Sequence, residues 1–356
     1  MKWIVFTLSF CIVVSAAPTC ISCSVFGIND KSVQVVGKNY DWMVDDGLLV
    51  VNKRNVKKTA FVYFQQPSEH PARWVSKFGS ITFNQFGCGL PNGGMNEKGL
   101  IVEAFILFGG SYPTTEGLSS ISQLQWTQYQ LDNYATVTEV VNHVEGLRIR
   151  PTKGAPVLHH FIWDRTGNWA VIDWIEGKAR ITSKSSEVLP VMTNIPYSLA
   201  IEHWKNRSVP EKDIAQSSLR FSKIADQISS NSFNTNIEAY NFAFRVLDSV
   251  QWEYPTMWQI VYDPINLHIK FKTRVNNEIR YVDMKHLDFD CRKPMLVLDI
   301  NAFGKGDVGE RLLRYDREIN RELIKNVLLK TPFIKKAPPE VLSHRSQYID
   351  THNCEN

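Results

Sequence analysis

Short runs of β-branched and aromatic residues, each bounded by Gly, Asn or Asp, dominate the hydrophobic pattern of this chain. Such runs are typical of strands. They predict strands over 32–36, 48–51, 59–64 and 100–105, and again over 257–262, 267–271 and 279–282. Two apolar runs, 159–163 and 169–174, flank a loop that contains Gly167 and predict a β-hairpin. A second hairpin is expected to turn at 176–178.

Between these strand blocks, apolar residues recur at steps of three and four, which predicts helices. The segments are 120–134, 137–144, 217–228 and 237–249, with Thr136 or Thr138 as the cap of the second. Strand blocks interrupted by paired helices favour layers of sheet and helix with antiparallel strand order. No glycine-rich phosphate loop follows a predicted strand, so the pattern lacks the signature of a nucleotide-binding fold.

The first 22 residues have the pattern of a signal peptide with a possible short propeptide. Lys2 precedes an apolar run over 3–14, and Ser15-Ala16-Ala17 follow it. The run is shorter than the roughly 20 residues that span a bilayer, so we expect no stable membrane anchor. We expect an exported protein, periplasmic or extracellular, or lysosomal in a eukaryote. Residues 23–330 would form the domain and 331–356 a C-terminal tail.

The point of cleavage decides what the mature protein begins with. Cleavage after Ala16 or Ala17 would leave a propeptide that ends at Ser22, which the protein itself would have to remove. Cleavage after Ser22 would expose Cys23 directly. Both routes lead to Cys23 as the mature N-terminus.

Composition and charge exclude two classes of protein. The chain is 44% hydrophobic and 21% charged, which is ordinary for a globular protein and not for a disordered one. Its net charge is +4, and Lys and Arg are scattered along it. It therefore lacks the basic footprint of a nucleic-acid-binding protein.

Four cysteines follow the leader: Cys23, Cys88, Cys291 and Cys354. None of their spacings is that of a zinc site, and disulfides persist in the oxidising compartments that exported proteins reach. If Cys23 stays free, two of the other three can form a disulfide. The sequence does not choose the pair.

An N-terminal cysteine carries a thiol nucleophile and an α-amine base on one residue. Asp41 lies in the polar cluster 37–42, which closes an apolar strand, and its short carboxylate suits the role of holding that amine. Lys38 in the same cluster is expected to lower the pKa of the thiol by its positive charge. The sequence thus predicts an amide-cleaving cysteine nucleophile.

Several motifs resemble one known family, in the same order. They are Cys23-Ser24 and the segments 37–42, 94–100, 124–133, 192–197, 218–221 and 256–263. The chain resembles the choloylglycine hydrolases and penicillin V acylases, which are linear-amide C-N hydrolases of the N-terminal nucleophile superfamily. The resemblance implies an α+β fold, a four-layer αββα sandwich of two antiparallel sheets. It also implies hydrolysis of a small N-acyl amide through an acyl-thioester without metal or cofactor, in a homo-oligomer that is often a tetramer.

The resemblance also implies roles for single residues. Cys23 takes the place of the nucleophile, Asp41 that of the carboxylate that steadies the amine, and Asn194 that of the side-chain oxyanion donor. Arg220 takes the place of a late arginine of the site. Lys38 stands where the bile-salt enzymes carry arginine, so it keeps the charge without the planar fork.

The substrate pocket is expected to be apolar. Phe105-Ile106-Leu107 stand where some members of the family carry a polar Asn or Tyr. Trp42 is a further candidate for substrate contact, although core packing is the better explanation for a large aromatic residue. These residues predict a hydrophobic acyl group. Bile salts, penicillin V, N-acyl amines and acyl-homoserine lactones all stay open as substrate types, and so does acyl transfer.

Two other functions stay open. The chain could be an exported binding protein of the same fold that has lost catalysis, with Lys38 as the first sign of decay. It could also be a cysteine-histidine protease, although no histidine lies in a recognisable catalytic setting. Taken singly, Asp41 could cap a turn, Asn194 could be a loop residue and Arg220 could form a surface ion pair.

Overall fold

The structure is a computed structural model, and it describes residues 23–30, 33–61, 70–152, 154–185, 188–208, 212–251, 256–331 and 339–355. The predicted leader over 1–22 and positions 62–64 of one predicted strand lie outside the described residues.

The strands of the first half of the chain are β1 (Ser24–Asp30), β2 (Val33–Asp41), β3 (Leu48–Asn52), β4 (Val56–Thr59), β5 (Arg73–Val75), β6 (Ser80–Asn84), β7 (Pro91–Asn96), β8 (Ile101–Ile106), β9 (Ser120–Ile121), β10 (Arg148–Ile149), β11 (Leu158–Trp163), β12 (Trp169–Ile175) and β13 (Lys178–Ser183). Those of the second half are β14 (Val191–Met192), β15 (Thr256–Asp263), β16 (His268–Thr273), β17 (Arg280–Asp283), β18 (Leu296–Asp299), β19 (Gly306–Asp307), β20 (Leu313–Arg314) and β21 (Asn353–Cys354). The α-helices are α1 (Gln123–Asn133), α2 (Val137–Asn142), α3 (Tyr197–Asn206), α4 (Lys212–Ser229), α5 (Asn236–Ser249), α6 (Arg317–Lys330) and α7 (Pro339–Gln347).

Two large sheets form the centre of the molecule. One has the strand order β14-β1-β2-β15-β16-β17-β19 and is antiparallel except for its last pair. The other has the order β13-β12-β11-β8-β7-β6-β3-β18-β20 and is antiparallel throughout. The predicted preference for antiparallel order is confirmed.

Helices cover the outer face of each sheet. Helix α5 packs on β2 and β15, and α4 packs on β1 and β14, whereas α1 packs on β7 and β8. A large core that includes Phe26, Phe83 and Phe271 lies between the sheets. A second core around Trp126 and Trp174 lies under α1 and α2. The layers are thus helix, sheet, sheet and helix, which confirms the predicted α+β sandwich.

Local sequence signals explain where several elements begin and end. The predicted hairpin is formed by β11 and β12, and Gly167 takes a left-handed conformation (φ 73°) in its loop. Helix α2 begins after Thr136, whose side chain forms a capping box with Glu139. The predicted helix 120–134 begins later, after the N-cap Ser122, because Ser120 and Ile121 pair with β10 instead.

One predicted strand is misplaced. The strand expected over 59–64 ends at Thr59, since β4 covers Val56–Thr59 and Ala60 and Phe61 are not in a strand. Within the described ranges, no helix has the length and apolar character needed to cross a bilayer.

The C-terminal segment returns to the body of the protein. Strand β21 pairs with β4, and Cys354 forms a disulfide with Cys291. This selects one of the pairings that the sequence left open, and Cys88 is a buried free thiol. Gly89 has φ +81°, and a Cβ added there would lie 2.6 Å from the Tyr348 ring, so only glycine permits this close contact. The described residues 339–355 therefore pack on the body of the same chain.

Candidate active site

Strand pairing brings Cys23 next to Asp41. Cys23 immediately precedes β1, and Ser24 pairs with Asn39 near the end of β2, whose last residue is Asp41. The Cys23 thiol donates to the Asp41 carbonyl oxygen over 3.7 Å and is 3% exposed. The pairing of β1 with β2, which follow each other in the chain, thus places the predicted nucleophile beside the predicted carboxylate.

The Asp41 carboxylate is fully buried and only half satisfied. Thr256 Oγ1 donates to its Oδ1 over 2.6 Å. Its other oxygen, Oδ2, is buried and accepts no hydrogen bond from any described residue. Burial raises the pKa of Asp41 to about 7, against the opposing effects of the Arg220 charge and of the Thr256 hydrogen bond. Asp41 Oδ2 can therefore accept a hydrogen bond from a further donor.

Burial also raises the pKa of the Cys23 thiol to about 12, and the negative charge of Asp41 adds to this effect. The positive charges of Lys38 and Arg220 act in the opposite direction, as the sequence predicts for Lys38, but do not outweigh burial. At neutral pH such a thiol is almost entirely protonated. It can act as a nucleophile only if a nearby base removes its proton.

Arg220 is buried in α4 and lies against the N-terminal cysteine. Its Nη1 donates to the carbonyl oxygen of Cys23 and to Ser24 Oγ. Its Nη2 donates to Asn194 Oδ1 over 3.3 Å and to Ser217 Oγ over 3.2 Å. At 3% exposure this side chain does not form the surface ion pair that the sequence alone left open. It fixes the backbone of the residue that carries the thiol.

Asn194 lies two residues beyond β14 and is fully buried. Its Oδ1 accepts from Arg220, and its Nδ2 donates to the Ile106 carbonyl oxygen over 2.9 Å. A primary amide has two N–H donors, so one hydrogen remains beyond the bond to Ile106. Arg220 therefore links Cys23 and Asn194 through a single guanidinium.

Lys38 has a buried partner of opposite charge. Its ammonium forms an ion pair with Glu103 and donates to the Asn92 carbonyl oxygen over 3.0 Å. Tyr262 donates to the other oxygen of Glu103 over 2.5 Å. Gly93 pairs with Glu103 across β7 and β8, and a Cβ at Gly93 would lie 2.0 Å from Glu103 Oε2. The glycine makes room for the carboxylate that neutralises Lys38.

A cavity of about 160 Å³ opens beside Cys23. Its wall is formed mostly by apolar side chains, with several neutral polar ones and the charged Arg345. The described residues of this wall are Cys23, Tyr40, Trp42, Phe86, Leu90, Asn92, Ala104, Phe105, Ile106, Ser122, Gln123, Leu124, Thr152, Gly154, Ala155, Pro156, Leu158 and Arg345.

The predicted site residues thus fall into two groups. Cys23, Trp42, Phe105 and Ile106 line the cavity. Lys38, Asp41, Asn194 and Arg220 are not among the described wall residues and are between 0% and 3% exposed. The first group lines the cavity, whereas the second belongs to the buried hydrogen-bond and charge network around Cys23.

Sequence reasoning did not single out the polar residues of the wall other than Cys23, among them Tyr40, Asn92 and Arg345. Tyr40 belongs to the predicted polar cluster 37–42, and its hydroxyl accepts a hydrogen bond of 3.2 Å from Asn92 Nδ2. Asn92 precedes two glycines in β7, a pattern that signals close packing. Arg345 comes from α7, at the far end of the chain, and no local signal connects it with Cys23.

His159 and His160 are adjacent in β11, so their side chains point to opposite faces of the sheet. His159 Nδ1 bonds to Asp173 Oδ1 over 2.7 Å, while the His160 ring packs on Trp126 with centroids 4.2 Å apart. None of the described residues that line the cavity with Cys23 is a histidine. The cysteine-histidine protease geometry is therefore not formed in this part of the chain.

The sequence matches the profile of a known family over residues 23–220, more than half of the chain. The family is described as linear amide C-N hydrolases, choloylglycine hydrolase family. A penicillin V acylase of Pectobacterium atrosepticum is 26% identical over 268 residues, which cover 63% of this chain and 71% of that protein.

Solved structures show the same fold. A penicillin V acylase from Agrobacterium tumefaciens superposes with a TM-score of 0.71 at 24% identity, covering 83% of this chain and 98% of that one. A variant of the conjugated bile acid hydrolase from Clostridium perfringens gives 0.62 at 17% identity, covering 80% and 98%. The similarity confirms the N-terminal nucleophile hydrolase fold.

Proposed function

Because the chain belongs to the linear amide C-N hydrolases of the choloylglycine hydrolase family, we propose that it is an exported cysteine hydrolase that cleaves a small N-acyl amide through an acyl-thioester. One observation carries this proposal. Asp41 Oδ2 is a buried carboxylate oxygen without a described hydrogen-bond partner, next to Cys23. A buried acceptor of this kind is costly, by about 1–3 kcal/mol, unless a donor reaches it.

The α-amine of a processed Cys23 is the donor that fits. Cleavage before Cys23 releases an amine on the residue whose thiol already contacts the Asp41 backbone. As an ammonium it can donate to Oδ2, while Thr256 holds Oδ1. As a neutral amine, with a reference pKa of about 8, it can accept the thiol proton at physiological pH. The same amine therefore satisfies Asp41 and activates a thiol that burial would otherwise keep protonated.

The proposed reaction has two stages, acylation of Cys23 and hydrolysis of the resulting thioester. The thiol proton passes to the α-amine, and the sulfur attacks the amide carbonyl to form a tetrahedral oxyanion. The ammonium returns this proton to the leaving nitrogen, the C–N bond breaks, and the acyl group remains on sulfur as a thioester. Water, deprotonated by the free amine, attacks the thioester and releases the carboxylic acid.

The oxyanion requires donors that are already in place. Asn194 is fixed by Arg220 and by the Ile106 carbonyl oxygen, and its amide retains a second hydrogen. Arg220 holds the Cys23 carbonyl oxygen, so it orients the sulfur relative to Asn194. We assign the oxyanion contact to Asn194 and a positioning role to Arg220.

Three features support export. The leader pattern at 1–22 is that of a signal peptide. The disulfide between Cys291 and Cys354 suits an oxidising compartment. The segment Asn206-Arg207-Ser208 is a glycosylation sequon, usable only in a eukaryotic host, and it lies at the exposed end of α3.

The experiment combines processing with turnover. The chain is expressed in a secretory host, its mature N-terminus is read by mass spectrometry, and it is incubated with a panel of N-acyl amides. We expect a chain that begins at Cys23, and an acyl adduct on Cys23 when the reaction is quenched. Cys23→Ser should lower kcat by about 10³-fold or more. A fully active enzyme that begins at Ala17 or Pro18 would contradict the mechanism.

The same panel tests the alternative of a binding protein without catalysis. That alternative predicts saturable ligand binding, no turnover and intact residues before Cys23. Glu103 forms a buried ion pair with Lys38 and so compensates its charge inside the fold. This pairing favours a retained role for Lys38 over loss of function at that position.

A further inference from the structure

Asp173 is a buried carboxylate that connects the second sheet with helix α3. It lies on β12 and is 3% exposed. Its Oδ1 bonds to His159 Nδ1 on the neighbouring strand β11 over 2.7 Å. Its Oδ2 accepts a hydrogen bond of 2.8 Å from the backbone N–H of Tyr197. Both oxygens of this carboxylate therefore have partners, although Asp173 is not among the described residues of the cavity wall.

The contact with Tyr197 takes the place of an N-cap. Helix α3 begins at Tyr197, and the side chain of Pro196 before it accepts no capping hydrogen bond. The first N–H groups of a helix have no partner within the helix, and a negative charge is favourable beside them. Asp173 supplies both the acceptor and the charge from another strand. It therefore fixes the point at which α3 begins.

The start of α3 in turn holds Asn194, which lies three residues earlier. On one side of Asn194, β14 pairs with β1. On the other side, the Tyr197 hydroxyl donates to the Leu189 carbonyl oxygen over 2.7 Å. The Tyr197 ring packs edge-to-face on Phe221, the residue after Arg220, with centroids 5.8 Å apart. The short segment that carries Asn194 is thus held between two fixed ends.

The other contacts of Asn194 act from different directions. Its side chain bonds to Arg220 and to the Ile106 carbonyl oxygen, and its own carbonyl oxygen accepts from the Phe108 N–H over 3.0 Å. These bonds hold Asn194 on the sides of α4 and β8, whereas Asp173 holds it on the side of α3. A catalytic group displaced by about 1 Å can lose about 10²-fold in rate, so each of these supports matters for an oxyanion donor.

We propose that Asp173, supported by His159, is a positioning residue that acts through Tyr197 to hold the Asn194 amide where the oxyanion forms. The inference rests on the proposed function, because it requires Cys23 to attack an acyl carbonyl. It adds to that function a buried carboxylate that touches neither the substrate nor the thiol.

The first test compares two reactions of Cys23 in the processed chain, wild type and Asp173→Ala. p-Nitrophenyl decanoate acylates the sulfur through a tetrahedral oxyanion, whereas iodoacetamide alkylates the same sulfur at a saturated carbon and forms no oxyanion. Mass spectrometry of the N-terminal peptide reads both adducts. We expect Asp173→Ala to lower the acylation rate about 10–100-fold and to leave the alkylation rate nearly unchanged. An equal loss in both reactions would indicate a general disturbance of Cys23 and would overturn the proposal.

Asp164→Ala is the matched control. Asp164 is 2% exposed, and its Oδ2 accepts a hydrogen bond of 2.9 Å from the N–H of Val137, the first residue of α2. It supports the start of a helix that carries no residue of the proposed site. The variant should lower the melting temperature, as Asp173→Ala does, but keep the wild-type acylation rate. A similar loss of acylation in both variants would count against a specific role for Asp173.

The conservative variant Asp173→Asn keeps an oxygen that can accept from the Tyr197 N–H. It should retain most of the acylation rate that Asp173→Ala loses. If Asp173→Ala does not fold, His159→Phe decides the outcome, because it removes the partner of Asp173 Oδ1 alone. A lower ratio of acylation to alkylation in His159→Phe supports the proposal, and an unchanged ratio overturns it.

The second test is a double-mutant cycle with Asn194→Ala. Because Asp173 acts through Asn194, Asp173→Ala should cause little further loss of acylation once the Asn194 amide is gone. A further loss as large as that in the wild-type background would overturn the proposal. Thermal melting checks that each variant is folded.

Neither test requires amide turnover. If the ester acylates Cys23 but the protein hydrolyses no N-acyl amide, the proposed function fails while the comparison of variants still decides the role of Asp173. If the ester does not acylate Cys23 in the wild type, the positioning role is overturned as well.

Discussion

Thr256 Oγ1 donates a hydrogen bond of 2.6 Å to Asp41 Oδ1, and it joins the first residue of β15 to the last residue of β2. This contact fixes one oxygen of the carboxylate and leaves Oδ2 for another donor. It also opposes the effect of burial on the Asp41 pKa. Thr256 therefore orients Asp41 and, together with the Arg220 charge, opposes the rise of the Asp41 pKa that burial causes.

Thr256→Val should shift the pH dependence of the enzyme. Activity requires ionised Asp41, because only the carboxylate stabilises the ammonium form of Cys23. The hydrogen bond lowers the pKa of Asp41, so its removal raises that pKa, and the acid side of the kcat/KM profile moves to higher pH. We expect a shift of about one pH unit, since one unit corresponds to about 1.4 kcal/mol.

The matched control is Thr331→Val. Thr331 is also fully buried, and its hydroxyl has no hydrogen-bond partner among the described residues. The kcat/KM pH profile of Thr331→Val should coincide with that of the wild type. Equal profiles for all three proteins would show that Thr256 does not tune Asp41.

The Lys38 and Glu103 pair should behave as a buried ion pair in stability measurements. Lys38→Met leaves Glu103 charged and unpaired in the core, which costs about 3–5 kcal/mol of unfolding free energy. Lys38→Met combined with Glu103→Leu removes both charges and should recover a large part of that loss. Denaturant unfolding of the two single variants and the double variant gives the coupling energy.

An exposed pair provides the comparison for this cycle. Lys325 and Glu322 are 49% and 55% exposed and lie 3.3 Å apart. Lys325→Met should change the unfolding free energy by less than about 1 kcal/mol. If Lys38→Met lowered the unfolding free energy by an equally small amount, the ion pair between Lys38 and Glu103 would not stabilise the fold.

The parts of the site that the sequence predicted depend on local pairing. Cys23 and Asp41 meet because β1 and β2 are consecutive strands that pair antiparallel, so a polar cluster after an apolar strand is enough to locate them. The hairpin of β11 and β12 is readable for the same reason, since its apolar runs and its Gly167 are adjacent in sequence.

The remaining parts depend on contacts that no local pattern encodes. Glu103 meets Lys38 only because β7 and β8 bring Gly93 opposite the carboxylate, and β7 itself lacks an apolar alternation that would predict a strand. Arg345 reaches the cavity only after the C-terminal segment folds back. The pairing of Cys291 with Cys354 likewise follows from the fold, because three cysteines allow several pairs.

The acyl chain should fill the apolar wall, so chain length should govern the rate. With about 0.8 kcal/mol for each buried CH₂, kcat/KM should rise about fourfold per methylene until the cavity is full. Leu158→Ala enlarges the wall and should move the optimum to longer chains. The measurement is kcat/KM over a series of N-acylglycines.

Leu298→Ala is the matched control for this series. Leu298 is also buried, at 4% exposure, but it lies on β18 and is not among the described wall residues. Both variants should lose about 2–5 kcal/mol of stability. Only Leu158→Ala should alter the preferred chain length, and the same optimum in both variants would remove Leu158 from the acyl site.

The disulfide between Cys291 and Cys354 should stabilise the protein. It closes a loop with a sequence separation of 63 residues, for which about 2–4 kcal/mol of unfolding free energy is typical. Cys354→Ser should lower the melting temperature accordingly. Wild-type protein treated with reductant should show the same loss, whereas reductant should not lower the melting temperature of Cys354→Ser further. An unchanged melting temperature in both the variant and the reduced wild type would show that the disulfide does not stabilise the fold.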